Sequence, residues 1–431
     1  MQSKLVFCSE EEVNAIHRDS LAALERTGLR ITGQRAREAL LDAGAKAVGD
    51  RILFPSGLVE ECLLLKNEKI LLGAKTKENR LSLSKSGAML NTNRGFCPYV
   101  LDEERELLRK VEALDILDLC RLLNGMEEVA VISLPRLAGE TGEDEGLKLA
   151  LKYGRKHILT LASDENAAHA QCDRIKNSEE ERYFSALVPM GDALCFDGAA
   201  AMVLAENRVM TGIRYHLPLT VGSPGPGNLL LLGNVLNLAA LVLVKIVDGA
   251  APFLYCGFDS MIPPPYGLAQ KENWEFGLIA AGQGQMAAFY GLPALLFSDL
   301  AAERRFESVQ GFEKSVRLQA LAHMAPGQLF GWLGSVDFGR AYSLTDLVQD
   351  GEVWAMTRAY VRRFPADGDA LAQAVIDEVG PGGHFLYHAH TLKYFKREIW
   401  LKKMGDSFLL STEKNHRALA REKVRTLLSK G

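Results

Sequence analysis

Short apolar runs separated by stretches of helical spacing recur along most of this 431-residue chain, and they constrain its fold more than any other feature. They are AVISL (130–134), HILTLA (157–162), FSALVP (184–189), RYHLPL (214–219), PFLYCG (252–257), ALLFSD (294–299), LFGWLG (329–334) and GHFLYH (383–388). A brief apolar run bounded by turn residues reads as a strand buried on both faces, and strands that alternate with helices pair in parallel. Eight such repeats predict an α/β protein built as a (β/α)₈ TIM barrel. Helices are expected over 228–247, 273–290, 311–325 and 345–364, with another over 369–379. The last run stands apart through its leading glycines and its histidines.

The N-terminal stretch follows another pattern. Ser9 with Glu12 three residues on is a capping box, followed by apolar residues at helical spacing and a stop at Gly28. A second helix over 33–43, the RILFP segment and an apolar stretch over 58–65 follow. Residues 1–90 are therefore expected to form an N-terminal α+β cap, 91–400 the barrel, and 401–431 a C-terminal helical extension. The charged KNHRALAREKVRTLLSK of that extension suits a surface or oligomer contact, so a homo-oligomer is compatible with the sequence.

Composition narrows the class. A formal charge of −4, with both signs mixed along the chain, offers no basic face to release counterions from a nucleic acid. The seven cysteines are widely spaced and never form a CxxC pair, which predicts reduced thiols rather than disulfides or a zinc knuckle. The acidic start MQSKLVFCSEEEV lacks the basic-then-apolar order of a signal peptide. The membrane-like run 229–247 carries Asn234, Asn237 and Lys245, which are costly at mid-bilayer, so it is expected as a buried barrel helix. Together these features predict a cytoplasmic protein with no membrane partner.

In a parallel barrel the chemistry sits at the C-terminal strand ends. Tyr255, Phe258 and Asp259 follow the fifth run, Ser298 and Asp299 the sixth, and Trp332 the seventh. His384, His388 and His390 would share one face of a strand and could converge on a metal, or could close the barrel through hydrogen bonds. Without a cysteine or carboxylate cluster to complete the set, no protein-bound metal is expected. Tyr99, Tyr255, Phe258, Trp332 and Tyr387 could surround a quaternary ammonium through cation–π attraction, or be ordinary core aromatics. Glu313 opens a helix, where the dipole favours a carboxylate in either case. The turn-rich LTVGSPGPGN (219–228) matches no phosphate-loop spacing.

Several segments together resemble the trimethylamine methyltransferase (MttB-like) superfamily. They are IHRDSLAALERTGLRI, ILFPSGLVEE, PYVLD (98–102), LCFDGAAAMVLAENRVMTGIRYHLPL, FGLIAAGQGQMAAFYGLP (276–293), QGFEKS (310–315) and VIDEVGPGGHFLYHAHTLKYFKREIW (375–400). The last is the most specific, because members carry a similar Gly-Pro-Gly-Gly-His segment with two further histidines and a threonine, here His384, His388, His390 and Thr391. The resemblance spans about residues 10–405 and is weak over 103–182.

The resemblance implies a (β/α)₈ enzyme that moves a methyl group from a methylated amine to a corrinoid (cobalamin) carried by a separate protein, with no tightly bound cofactor of its own. Members acting on trimethylamine use a pyrrolysine after the sixth strand; here the neighbourhood, AERRFE (302–307), holds ordinary residues. A quaternary ammonium leaves as a neutral amine and needs no such activation, so a betaine-like donor is expected. On that reading Tyr99, Tyr255, Phe258, Trp332 and Tyr387 form an aromatic cage. Glu313, His384 and His388 orient the substrate, and Arg214 or Arg340 pairs with a carboxylate. The CGFDSMIPPPYG and SPGPG segments depart from the family pattern at the expected mouth and leave the donor, or activity itself, open. Two other readings remain: a metal-assisted hydrolase or lyase using the C-terminal histidines, and a non-catalytic small-molecule binder.

Overall fold

The computed structural model describes residues 6–430 except 68, 85–88, 140–141, 177–181, 192–193, 219–224, 263–274, 298–307, 325–328, 338, 363–364 and 399–414. Its centre is a closed parallel barrel of β1 (Leu90–Asn93), β2 (Val131–Ser133), β3 (His157–Leu161), β4 (Phe184–Gly191), β5 (Thr211–Arg214), β6 (Phe253–Cys256), β7 (Ala294–Phe297) and β8 (Leu329–Leu333). Neighbours pair in chain order, and β8 closes on β1 with Leu329 opposite Leu90 and Gly331 opposite Thr92. Each strand leads into a helix: α1 (Ala113–Asn124), α2 (Gly142–Tyr153), α3 (Glu165–Lys176), α4 (Gly198–Glu206), α5 (Pro226–Val247), α6 (Glu275–Tyr290), α7 (Ser308–Met324) and α8 (Leu344–Val361). This is the expected TIM barrel.

Three strand assignments differ from the sequence reading. The barrel's first strand is Leu90–Asn93, a polar stretch that no apolar-run search detects. Two of its polar side chains bridge to β2: Asn93 donates to Ser133 O at 2.8 Å, accepts from Ser133 N at 2.8 Å, and Thr92 Oγ1 lies 2.6 Å from Ser133 Oγ. The RYHLPL run is displaced, since β5 ends at Arg214 and His216–Pro218 pairs with Ser260–Ile262 in a separate ribbon. GHFLYH is not a strand at all. After the helix Gln373–Val379, Gly380 and Gly382 take positive φ (65° and 79°) and a Cβ on Gly383 would lie 2.1 Å from Val379 O. The glycines therefore build a tight reversal, the usual use of this residue at a helix C-terminus.

The apolar helix α5 is a core helix, as its polar interruptions suggested. Asn234 Nδ2 donates to Ser20 Oγ (2.8 Å) and Tyr290 Oη (2.9 Å), and Lys245 Nζ to Ala251 O (2.7 Å) and Asn67 Oδ1 (2.8 Å). The N-terminal helix Glu10–Arg26, with its Ser9–Glu12 capping box, and the helix Ser56–Leu64 pack over α5. Strands Leu29–Thr32, Arg51–Leu53 and Lys46–Val48 continue the sheet from β4 through Cys195–Asp197. At the other end the helix His416–Lys430 lies against α1 and α8, where Arg417 and Arg421 both engage Glu103.

Candidate active site at the barrel mouth

Three charged side chains meet just past the C-terminal ends of the strands. Arg94 follows β1, Arg214 ends β5, and Asp259 lies three residues beyond β6. Arg94 Nη1 donates to Asp259 Oδ1, while Arg214 Nε and Nη2 each lie 2.7 Å from Oδ2. The carboxylate is fully buried, Arg94 nearly so, and the Arg214 side chain keeps 12% of its surface. Desolvating these charges is costly unless each is paired, so the shared carboxylate holds the arrangement together.

Local backbone chemistry aims these groups. A Cβ on Gly95 would sit 2.4 Å from the Ser133 Cβ, and Phe96 adopts φ 60°, a left-handed conformation unusual for an aromatic residue. That turn brings the Phe96 ring beneath Arg214, whose Cζ is 5.7 Å from the ring centroid. Arg94 lies 6.0 Å from the Phe297 ring at the end of β7 and donates through Nε to Gly339 O at 3.0 Å. Gly339 has φ 73°, and a Cβ there would come within 3.0 Å of Arg94 Nη2. Two guanidiniums thus rest on aromatic faces, a favourable use of the ring quadrupole.

A second layer fixes the strand ends. Asn237 of α5 clamps β6, accepting from Cys256 N at 2.8 Å and donating to Cys256 O at 2.9 Å, three residues before Asp259. Gln283 of α6 donates to Tyr215 Oη at 2.7 Å and accepts from Phe258 N, and Asp259 N donates to Tyr215 O at 2.9 Å. Gln283 belongs to the FGLIAAGQGQMAAFYGLP segment, so that stretch holds the residues beside Arg214 and Asp259 in place. Burial pushes the nearby Cys97 thiol up to about 12, and that of Cys256 likewise to about 12, so both stay protonated and neither offers a thiolate.

The candidate residues named from sequence fare unequally. Arg214 lies in the cluster, and Phe258 is buried beside it. Arg340 sits at the rim next to Gly339, its exposed side chain paired with Asp337. Tyr99 begins Tyr99–Asp102, one strand of a small sheet with Leu107–Lys110, Ser335–Val336 and Ala341–Tyr342, and packs there against Leu101, Val336 and Ala341. Tyr255 points the other way: its hydroxyl donates to Asn234 of α5 at 3.0 Å, behind the barrel wall. Glu313 is in α7 and Trp332 at a bulge in β8, but their side chains lie outside the described residues. So do AERRFE, residues 263–267 of CGFDSMIPPPYG and residues 223–224 of SPGPG.

The histidine segment forms no strand at the mouth. His384 and Tyr387 are exposed, Tyr387 at 84%. His388 lies 3.4 Å from Glu378, and His390 contacts Asp369 O at 2.8 Å. The His388 and His390 rings therefore serve different partners, and among the described residues no group of three or more His, Cys, Asp or Glu could hold a metal ion. Arg94 and Gly339 were not singled out from sequence, and Asp259 was noted only for its place after a run. The signal for Arg94 was a charged residue directly after a strand, hidden because that strand is polar.

Comparison with known proteins agrees with this architecture. A family profile described as trimethylamine methyltransferase (MTTB) matches residues 2–136 and 231–430. A glycine betaine methyltransferase of Desulfitobacterium hafniense (strain Y51) is 22% identical over 444 residues, covering 97% of this chain and 89% of its own length. The trimethylamine methyltransferase MttB of Methanosarcina barkeri (strain Fusaro) is 24% identical over 448 residues, covering 97% of this chain and 89% of its own. The solved monomethylamine methyltransferase (MtmB) of Methanosarcina barkeri superposes with a TM-score of 0.51 at 10% identity, covering 96% of this chain and 92% of that one, and shares the fold. The chain is a methyltransferase and belongs to the trimethylamine methyltransferase (MttB) family.

Proposed function

We propose that this methyltransferase takes its methyl group from a carboxylated quaternary amine, a betaine, and delivers it to the Co(I) of a separate corrinoid protein. The carrying observation is the buried Arg94–Asp259–Arg214 cluster at the mouth. Arg214, the more exposed guanidinium, can accept a carboxylate in a charge-assisted, bidentate pair. The same guanidinium repels a donor that is only a cation, so the site favours a zwitterion. A protein named for glycine betaine among the relatives supports the same donor class.

The chain's own contribution is positioning and electrostatics. The cluster fixes the donor's carboxylate end, which turns the ammonium methyl away from the rigid floor and toward solvent, where a partner protein can approach. No proton needs to move, because a quaternary ammonium leaves as a neutral amine. The partner's corrinoid supplies the nucleophilic metal. The test is donor-dependent loss of Co(I) absorbance with a reduced corrinoid protein and a panel of betaines, tetramethylammonium serving as the carboxyl-free control. Arg214→Gln should raise KM for the betaine by about 10- to 100-fold. An equal response of the betaine and tetramethylammonium to Arg214→Gln would remove the carboxylate assignment.

A further inference from the structure

Beyond α8 the chain makes an excursion before returning at His416 to pack beside α1. Across the described residues 365–398 of this excursion, no residue with a stated burial is buried, although they form the helices Gly368–Leu371, Gln373–Val379 and Ala389–Glu398. The last helix pairs with the arm's own first helix and leaves its apolar side uncovered. Its polar side makes exposed contacts there, with Lys393 and Tyr394 donating to Asp369 Oδ2 and His390, stacked on Tyr394 at 4.4 Å, meeting Asp369 O. Leu392 and Phe395, on the opposite side, face solvent together with Ile376, Phe385, Leu386 and Tyr387. An amphipathic helix gains its stability by burying the apolar side, so this orientation requires a cover.

The same chain carries a second exposed apolar surface. On α7, Phe312 is 65% exposed and Val316, one turn on, is also exposed; Leu278 of the neighbouring α6 adds to them. We propose that two copies of this chain pair through these surfaces, the 365–398 arm of each lying on the α6–α7 flank of the other. The arm's exposed apolar side chains offer on the order of 700 Å², close to the roughly 800 Å² each partner contributes to a stable complex. Two equivalent contacts follow from a two-fold axis, which presents the same arm and flank on both protomers. A corrinoid protein that docks and leaves would bare this face between encounters. A surface this apolar belongs to a permanent partner.

Sedimentation velocity and light scattering on the full chain across the micromolar range test the pairing. The wild type should have at least twice the 47.3 kDa chain mass. L392E with F395E on the arm, and separately F312E on the flank, should each weaken association at least about 30-fold, the factor of a hot spot. Far-UV circular dichroism should stay unchanged, because all three residues are exposed. Limited proteolysis within 365–398 should accelerate in both variants. Mixing the arm variant with the flank variant should restore dimers, since one intact arm meets one intact flank. A monomeric wild type, unaltered association in both variants, or arm protection appearing only on addition of a corrinoid protein would each overturn the proposal.

Discussion

Replacing Asp259 with alanine removes the carboxylate that Arg94 and Arg214 share and leaves two like charges facing each other in a desolvated mouth. Breaking a buried pair by removing one partner costs about 3–5 kcal/mol, a large part of the roughly 5–15 kcal/mol that holds a typical domain together. The remaining exposure of Arg214 lets that guanidinium recover some hydration, which places the expected loss near the lower end, about 3 kcal/mol. Asp259→Asn keeps an acceptor and should lose less. The assay is urea unfolding followed by tryptophan fluorescence and circular dichroism, on wild type, Asp259→Ala, Arg214→Ala and the double variant. The cycle should show a coupling of about 2 kcal/mol. Losses that add to within about 0.5 kcal/mol would refute the idea that the cluster acts as a unit.

Other consequences follow from single contacts. His157 is buried between Gly73 O and Ser185 Oγ, and burial, against the raising effect of the Gly73 contact, brings its pKa from the usual 6.5 down to about 4. The folded state thus keeps it neutral while the unfolded chain protonates it, so its contribution is intact above pH 6.5 and is lost as pH falls toward 4. That loss reaches about 3 kcal/mol, and His157→Gln should flatten the pH dependence of the urea midpoint between 7 and 4; parallel curves would contradict it. Asn237→Leu strips the clamp from both backbone groups of Cys256 and should cost about 2–4 kcal/mol by the same unfolding assay. Gly339→Ala puts a Cβ against Arg94 in a left-handed backbone, so methyl-transfer kcat/KM should drop at least about 10-fold while circular dichroism is unchanged.

Much of the barrel was legible in the sequence because β2 to β4 and β6 to β8 are mostly apolar, as strands buried on both faces tend to be. The polar β1 escaped because Asn93 and Thr92 bridge to Ser133, a long-range pairing that local pattern cannot reveal. Strand facing was equally hidden. In a run apolar on both sides nothing tells lumen from wall, so Tyr255 was given to the mouth when Asn234 draws it outward. The apolar residues of GHFLYH suggested a strand, but the glycines at and before its start, already out of place in one, serve a helix-ending reversal. Position after a run did single out Asp259, whereas Arg214, read as the start of RYHLPL, was named only as a partner for a carboxylate.

The most direct test of the account is a single-turnover methyl transfer with glycine betaine and a corrinoid protein reduced to Co(I), comparing wild type with Arg214→Gln. Rapid, donor-dependent loss of Co(I) absorbance by the wild type, with the variant needing far more betaine to reach the same rate, is the predicted result. No transfer by the wild type from any carboxylated quaternary amine would contradict it.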